Sequence, residues 1–390
     1  MPQKNNLTAE RIWDAFTQKY QQTPRLFRSP GRINLIGEHT DYNDGFVLPA
    51  SVDKAVYFAI APREDDLVQL EAVDLNETYE FQLGDLTKPE QQWPVYQLSV
   101  LDQLQKNGLK IKGFQASFGG DLPVGAGMSS SAALECCLLF ALNELFDLGL
   151  DRLEIVKMAQ RAENEYVGMK CGIMDQFASV FGKEQSVIQL DCRSLEYKYF
   201  PFPMDKNLLI LCDTKVKHSL ADSEYNLRRQ ECERGVEILQ NKYPEVHSLR
   251  DATPDMVEEH KAEMGPTVFK RCKFMTGEIQ RVQEAGKLLL EGDLESFGEK
   301  MYDTHDGLQH QYEVSCPELD FLVEQTRSND DVAGARMMGG GFGGCTINLV
   351  KRGGAENFEK VMKEAYQEKF GVELPCYRVS ITDGTSEMKG

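Results

Sequence analysis

One stretch restricts the possible folds more than any other: residues 113 to 146, in which an alternating run leads into a Gly/Ser loop and then into AALECCLLFALNELF. Phe114, Ala116 and Phe118 recur at a period of two, which predicts a strand with those side chains on one side. Ala132 to Phe146 is rich in helix formers and almost continuously apolar, which predicts a buried helix. The loop between them, LPVGAGMSSSAALE at residues 122 to 135, therefore stands at a helix N-terminus. There Gly125 and Gly127 let the backbone approach a ligand, while Ser129, Ser130 and Ser131 bring hydroxyls and N–H groups to the positive end of the helix dipole. Such a loop suits a phosphate chain, and its competing reading is a serine-capped helix after a glycine turn. It is not the common P-loop, because neither Gly182-Lys183 nor Gly286-Lys287 lies in the required frame.

A second segment packs polar groups around a short apolar run: RSPGRINLIGEHTDYNDGFVLP, Arg28 to Pro49. Ile33 to Ile36 reads as half a strand, and beyond Gly37 the turn-rich Glu-His-Thr-Asp-Tyr-Asn-Asp-Gly run has neither helical nor strand periodicity. It is either a functional loop held at a strand end or a solvated loop with ordinary Asx turns. Two carboxylates outside it also stand open to two readings. Glu163 sits on a predicted helix, as a solvated face residue or as a metal ligand with a second oxygen from elsewhere, which Ser131 could supply. Asp175 begins the apolar stretch MDQFAS, as a partner for the helix dipole or as a general base. His39, His305 and His310 lack zinc spacing, and no cysteine cluster supports them. The late glycine run MMGGGFGGC contains GxGxxG only formally: a strand-like CTINLV follows it where a dinucleotide fold needs a helix, so a close-packed turn is expected.

At 390 residues the chain is long for one core and implies two domains, which we divide at 1–200 and 201–390 near Pro201 and Pro203. A net charge of −19 argues against nucleic acid and anionic membrane as partners. The ten cysteines are scattered apart from adjacent Cys136 and Cys137, and no CxxC pair or secretory signal is present, so reduced thiols and a cytoplasmic setting are expected. The remaining pattern predicts a helix over 7 to 20 capped by Thr8, strands within 47 to 82, and helices over 152 to 166 and 171 to 181. It also predicts a strand pair at Ser186–Leu190 and Leu208–Cys212, and late strands at Cys345–Val350 and Tyr377–Ile381.

Together these segments resemble the GHMP kinase superfamily, and GRINLIGEHTDYNDGFVLP closely resembles the signature of its galactokinase branch. LPVGAGMSSSAALE resembles the superfamily's ATP loop and ARMMGGGFGGC its C-terminal glycine motif. AENEYVGMKCGIMDQFASVFG, HSLADSEYNLRR and YEVSCPELD extend the resemblance over residues 28 to about 350. It implies an α+β fold of two lobes, an N-terminal βαβ-rich lobe and a C-terminal ferredoxin-like lobe, with the active site between them. The implied reaction is phosphorylation of the anomeric hydroxyl of galactose by ATP.

By resemblance, Asp175 is the base, and Arg32 orients it and stabilises the transferring phosphoryl group. Glu38, His39, Thr40, Asp41, Gly172 and Tyr225 face the sugar, with selectivity against glucose resting on Asp41 and Tyr225. The run Gly125, Ala126, Gly127, Met128, Ser129, Ser130 and Ser131 holds ATP, and Ser131 and Glu163 bind Mg2+. A monomer acting on a small-molecule substrate is expected. The chain departs from the family pattern at Met128, where leucine is usual, at Lys170, where proline is, and at WPVYQL, which replaces a Trp-x-Asn-Tyr pattern; no adenine contact is carried over from that segment. A kinase for N-acetylgalactosamine and a non-catalytic sensor of the same fold are the alternatives. Known sensors alter the Gly/Ser loop, which is intact here.

Overall fold

The computed structural model describes residues 6–123, 125–216 and 221–388, the first two of the last stretch by backbone alone. Val124 of the Gly/Ser loop and Lys217 to Leu220 lie outside the described residues. In chain order the first half carries α1 (Leu7–Tyr20), β1 (Arg25–Asn34), β2 (Phe46–Val47), β3 (Pro49–Pro62), β4 (Leu67–Ala72), β5 (Glu77–Gln82), α2 (Pro94–Lys106), β6 (Phe114–Gly120), α3 (Ser130–Phe146), α4 (Arg152–Arg161), α5 (Met174–Phe181), β7 (Ser186–Asp191) and β8 (Tyr197–Pro201). The second carries β9 (Asn207–Asp213), α6 (Ala221–Gln240), α7 (Pro254–Glu259), α8 (Lys261–Glu291), α9 (Leu294–Gly307), α10 (Pro317–Thr326), β10 (Val332–Met337), β11 (Cys345–Lys351), α11 (Ala355–Phe370), β12 (Cys376–Val379) and β13 (Ser386–Glu387).

The side-chain alternation of β3 organises the first half. Val56, Phe58 and Ile60 join the core beneath α2 to α5, whereas Ala55, Tyr57, Ala59 and Ala61 meet Ala9, Ile12 and Phe16 of α1. A strand buried on both faces needs apolar residues at consecutive positions, and AVYFAIA supplies them. The sheet runs β13-β1-β3-β6-β4-β5, with β4 and β6 parallel and joined through β5 and α2. Helix α3 lies across β1 and β3 with Cys136 to Leu139 fully buried, as its apolar circumference requires.

In the second half β9, β10, β11 and β12 form an antiparallel sheet in the order β10-β11-β9-β12, with helices between β9 and β10 and between β11 and β12. This is the ferredoxin-like arrangement. One face packs on Phe358, Met362 and Tyr366 of α11. The other carries Leu209, Leu211, Ile347 and Leu349 into a core shared with Ile33, Leu35, Leu48 and Val52 of the first half. Sheet membership supports a division near residue 200 as a proposal, with β13 returning to pair with β1.

Several local expectations are corrected. Asn6, not Thr8, caps α1, accepting from the Ala9 N–H at 3.0 Å. Ser186–Asp191 does not pair with Asn207–Asp213; it pairs with β8 and β2, because Asp191 accepts from the N–H groups of Arg193 and Ser194 and closes a hairpin. Helix α4 stops at Arg161 and widens into a π-helical turn, Ala162–Val167, while α5 starts only at Met174. Among the described residues no helix is long and apolar enough to cross a membrane.

Candidate active site

Arg32 is aimed by a break in strand register. The pairing of β1 with β3 shifts between Pro30 and Arg32, and such bulges re-aim the side chains that follow them. From there Arg32 forms a two-pronged ion pair with Asp175 in the first turn of α5, Nε to Oδ1 at 2.8 Å and Nη2 to Oδ2 at 3.0 Å. The third nitrogen, Nη1, donates to the Gly127 carbonyl. Burial disfavours the charge on Arg32, but Asp175, Glu38 and Asp41 outweigh it and raise the guanidinium pKa.

The Gly/Ser loop does not form a serine cap. Ser129 takes a left-handed conformation, φ 55°, makes no capping bond to α3, and donates its hydroxyl to Asp175 Oδ2 instead. The N–H groups of the first turn of α3 thus remain for a ligand. Gly127, at φ 71°, lies where an added β-carbon would come within 3.1 Å of the Met338 carbonyl, so glycine is what allows this loop to meet the late glycine turn. That turn joins antiparallel β10 and β11, which disposes of the formal dinucleotide motif. The two loops border a cleft of about 570 Å³ that Arg32, Asp175, Glu163 and Tyr225 also line.

The turn after β1 supplies the opposite wall, where Glu38, His39 and Asp41 line the cleft. His39 is 3 % exposed, and burial lowers its pKa to about 4. The ring is therefore neutral near pH 7. With Nε2 3.2 Å from the Gly340 carbonyl and Nδ1 2.8 Å from the Tyr42 hydroxyl, Nε2 carries the proton and Nδ1 accepts. Asp41 is pushed up to about 7, first by burial and then by the charge of Asp175, with partial relief from the N–H groups of Tyr42 and Met174. Thr40 is fully buried behind the turn, its hydroxyl bonding the Gly37 and Phe46 carbonyls at 2.9 and 2.6 Å. The Ala126 methyl is turned into the shared core, and Gly172 lies against the Asp41 carboxylate.

Ser131 and Glu163 come together as expected, Oγ to Oε1 at 2.9 Å, on the cleft wall. Gln176 donates to the other Glu163 oxygen at 2.8 Å. Among the described residues no group of three or more His, Cys, Asp and Glu side chains could hold a metal. A hydroxyl and a carboxylate nevertheless fit Mg2+, which prefers hard oxygens and takes the rest of its shell from phosphates and water.

The sequence reading missed the second half's hold on this wall. Arg336 bonds the Leu35 and Asn34 carbonyls and Glu38, and Glu278 of α8 accepts from the Gly37 N–H at 3.2 Å. Tyr96 of α2 also lines the cleft, within the segment from which no contact was carried over. No periodicity marks Arg336 or Glu278; their partners are set by tertiary folding.

Comparison with known proteins gives a consistent result. Family models match at residues 14–62 (galactokinase galactose-binding signature), 95–183 (GHMP kinases N terminal domain) and 286–368 (GHMP kinases C terminal). The galactokinase of Thermosipho africanus (strain TCF52B) is 41% identical over 362 residues, 93% of this chain and 99% of that protein. That of Clostridium beijerinckii is 42% identical over 368 residues, covering 93% and 94%. Lactococcus lactis galactokinase, solved in complex with galactose, superposes with a TM-score of 0.92 at 35% identity over 96% of this chain and 98% of that one. Methanococcus jannaschii mevalonate kinase shares the fold, with a TM-score of 0.64 at 18% identity over 93% of this chain and all of that one.

Proposed function

Because the chain belongs to the galactokinase family of GHMP kinases, we propose that its cleft transfers the γ-phosphoryl group of ATP to the anomeric hydroxyl of galactose. The products are galactose 1-phosphate and ADP. The observation that carries the assignment of roles is the Arg32–Asp175 pair, set between the Gly/Ser loop and the Glu38–Asp41 turn.

Phosphoryl transfer asks for alignment and charge neutralisation more than covalent chemistry. Asp175 accepts the hydroxyl proton as the sugar oxygen bonds to phosphorus and the bond to the β-phosphate oxygen breaks. Two of its three bonded donors are on Arg32, so the base and the group that neutralises the moving phosphoryl are held by one contact. The N–H groups at the start of α3 and the Gly125 to Ser131 backbone receive the phosphate chain. Ser131 and Glu163 would hold Mg2+, which would supply charge neutralisation on the phosphates. Glu38, Asp41 and Tyr225 bound the sugar, and an epimer that misplaces one hydroxyl leaves a buried acceptor unpaired.

One chain supplies all these groups, so a monomer suffices for the chemistry. The cysteines are all free thiols, in keeping with the cytoplasm. The deciding experiment is ADP release with galactose, N-acetylgalactosamine, glucose and buffer alone. Turnover on galactose well above the other three is expected, and equal rates on galactose and buffer would refute the assignment.

A further inference from the structure

Arg336 is among the largest fully buried side chains, and it is an arginine. A buried guanidinium is costly unless paired, and an apolar residue in β10 would fill the same space at less expense in solvation. Its bonds show where the charge is used. Nε donates to the Leu35 carbonyl at 2.8 Å, Nη2 donates to the Asn34 carbonyl and to Glu38 Oε1 at 3.0 Å, and only Nη1 stays on its own strand, at the Met337 carbonyl. Three of four bonds thus reach into the stem and carboxylate of the Glu38–Asp41 turn, about 300 positions earlier in the chain.

Glu38 Oε1 also accepts from the Gly339 N–H at 2.8 Å. Two donors on one oxygen fix the rotation of the carboxylate. The other oxygen, Oε2, has no bond to another described residue and is not among the atoms sealed from solvent without a partner. Glu38 lines the cleft, and of its two oxygens Oε2 is the one whose bonding capacity is left for a ligand there.

We propose that Arg336 is a positioning residue for sugar recognition: it holds Glu38 with Oε2 presented to the acceptor sugar, and ties that turn to the glycine turn after β10. The proposal rests on the galactose-kinase reading, and wild-type turnover on galactose tests that reading separately. Arg336 touches neither the Gly/Ser loop nor Asp175 through any bond described above, so its loss acts on sugar affinity and spares nucleotide affinity.

The test uses R336K, which keeps the charge without the fork, and R336Q, which keeps a donor without the charge. Circular dichroism checks that each folds. We expect KM for galactose to rise about tenfold or more, with KM for ATP and kcat within about threefold. In the E38Q background, R336K should add much less than it does alone, since both changes disrupt one unit. Equal losses on galactose and ATP, full additivity with E38Q, or failure of both variants to fold would overturn the proposal and leave Arg336 a purely structural residue.

Discussion

A β-carbon on Gly172 would stand 2.0 Å from Asp41 Oδ2, so the absence of a side chain at one position fixes where a carboxylate can lie at another. Gly172→Ala has to push the Asp41 carboxylate toward the cleft or displace the entry to α5. Overpacking of this kind costs about 1–3 kcal/mol. We expect KM for galactose to rise about tenfold or more, with KM for ATP little changed. Steady-state kinetics with each substrate varied in turn checks this, and an unaltered galactose KM would show that Asp41 has room the structure does not give it.

Asp41 should also make sugar binding depend on pH. Its pKa is about 7 in the folded chain against an ordinary value of 3.8, so between those values the folded state binds more protons than the unfolded one. This group's contribution to stability therefore falls as pH rises through that window, and the full cost of the buried charge is present above about pH 7. Sugar hydroxyls that donate to Asp41 favour the ionised form. Galactose affinity should accordingly rise toward about pH 7 and then level, with up to one proton released at lower pH. Calorimetry in two buffers of different ionisation enthalpy measures that release. Asp41→Asn should abolish it, and identical heats for the native chain would remove the carboxylate from recognition.

Asp175→Asn preserves shape and cannot take a proton. A general base contributes about 10²–10⁴-fold, and we expect kcat to fall by that factor. Galactose binding, measured by calorimetry without nucleotide, should persist. Near-normal turnover would end the assignment of Asp175 as base.

Ser131→Ala removes one of two oxygens that stand 2.9 Å apart. Loss of such a ligand should raise the Mg2+ concentration for half-maximal rate by about tenfold or more. Galactose affinity should not change. A metal titration of the initial rate decides it, and an unshifted midpoint would assign Ser131 to the loop alone.

What could be read in the sequence was what the chain encodes contiguously. Helix α3 announced itself because it is apolar all round, and Arg32, Glu38 and Asp41 because charged residues crowd an apolar half-strand. What the sequence left unread has one physical origin. Nothing local to Thr40 states that the turn folds its hydroxyl inward onto Gly37 and Phe46. For Ser129 the sequence left a helix cap open as the competing reading, and it is the left-handed backbone that turns the hydroxyl to Asp175 instead. Arg336 and Glu278 had no local signal, since nothing near them in sequence states that their partners lie 298 and 241 positions away. The same holds for Asn207–Asp213, whose true neighbours, β11 and β12, follow far downstream.

The return of β13 to the edge of β1 bears on how the molecule is made. The strand that carries Arg32 meets Glu387 through both its ladder and Arg25, a partner 362 positions later. During synthesis that edge therefore stays open until almost the whole described chain has left the ribosome. A nascent chain offers an unpaired strand edge to its neighbours throughout that interval. Stop codons a few residues upstream of Ser386 would extend the hazard indefinitely, and the resulting loss should surface as insolubility rather than as impaired kinetics.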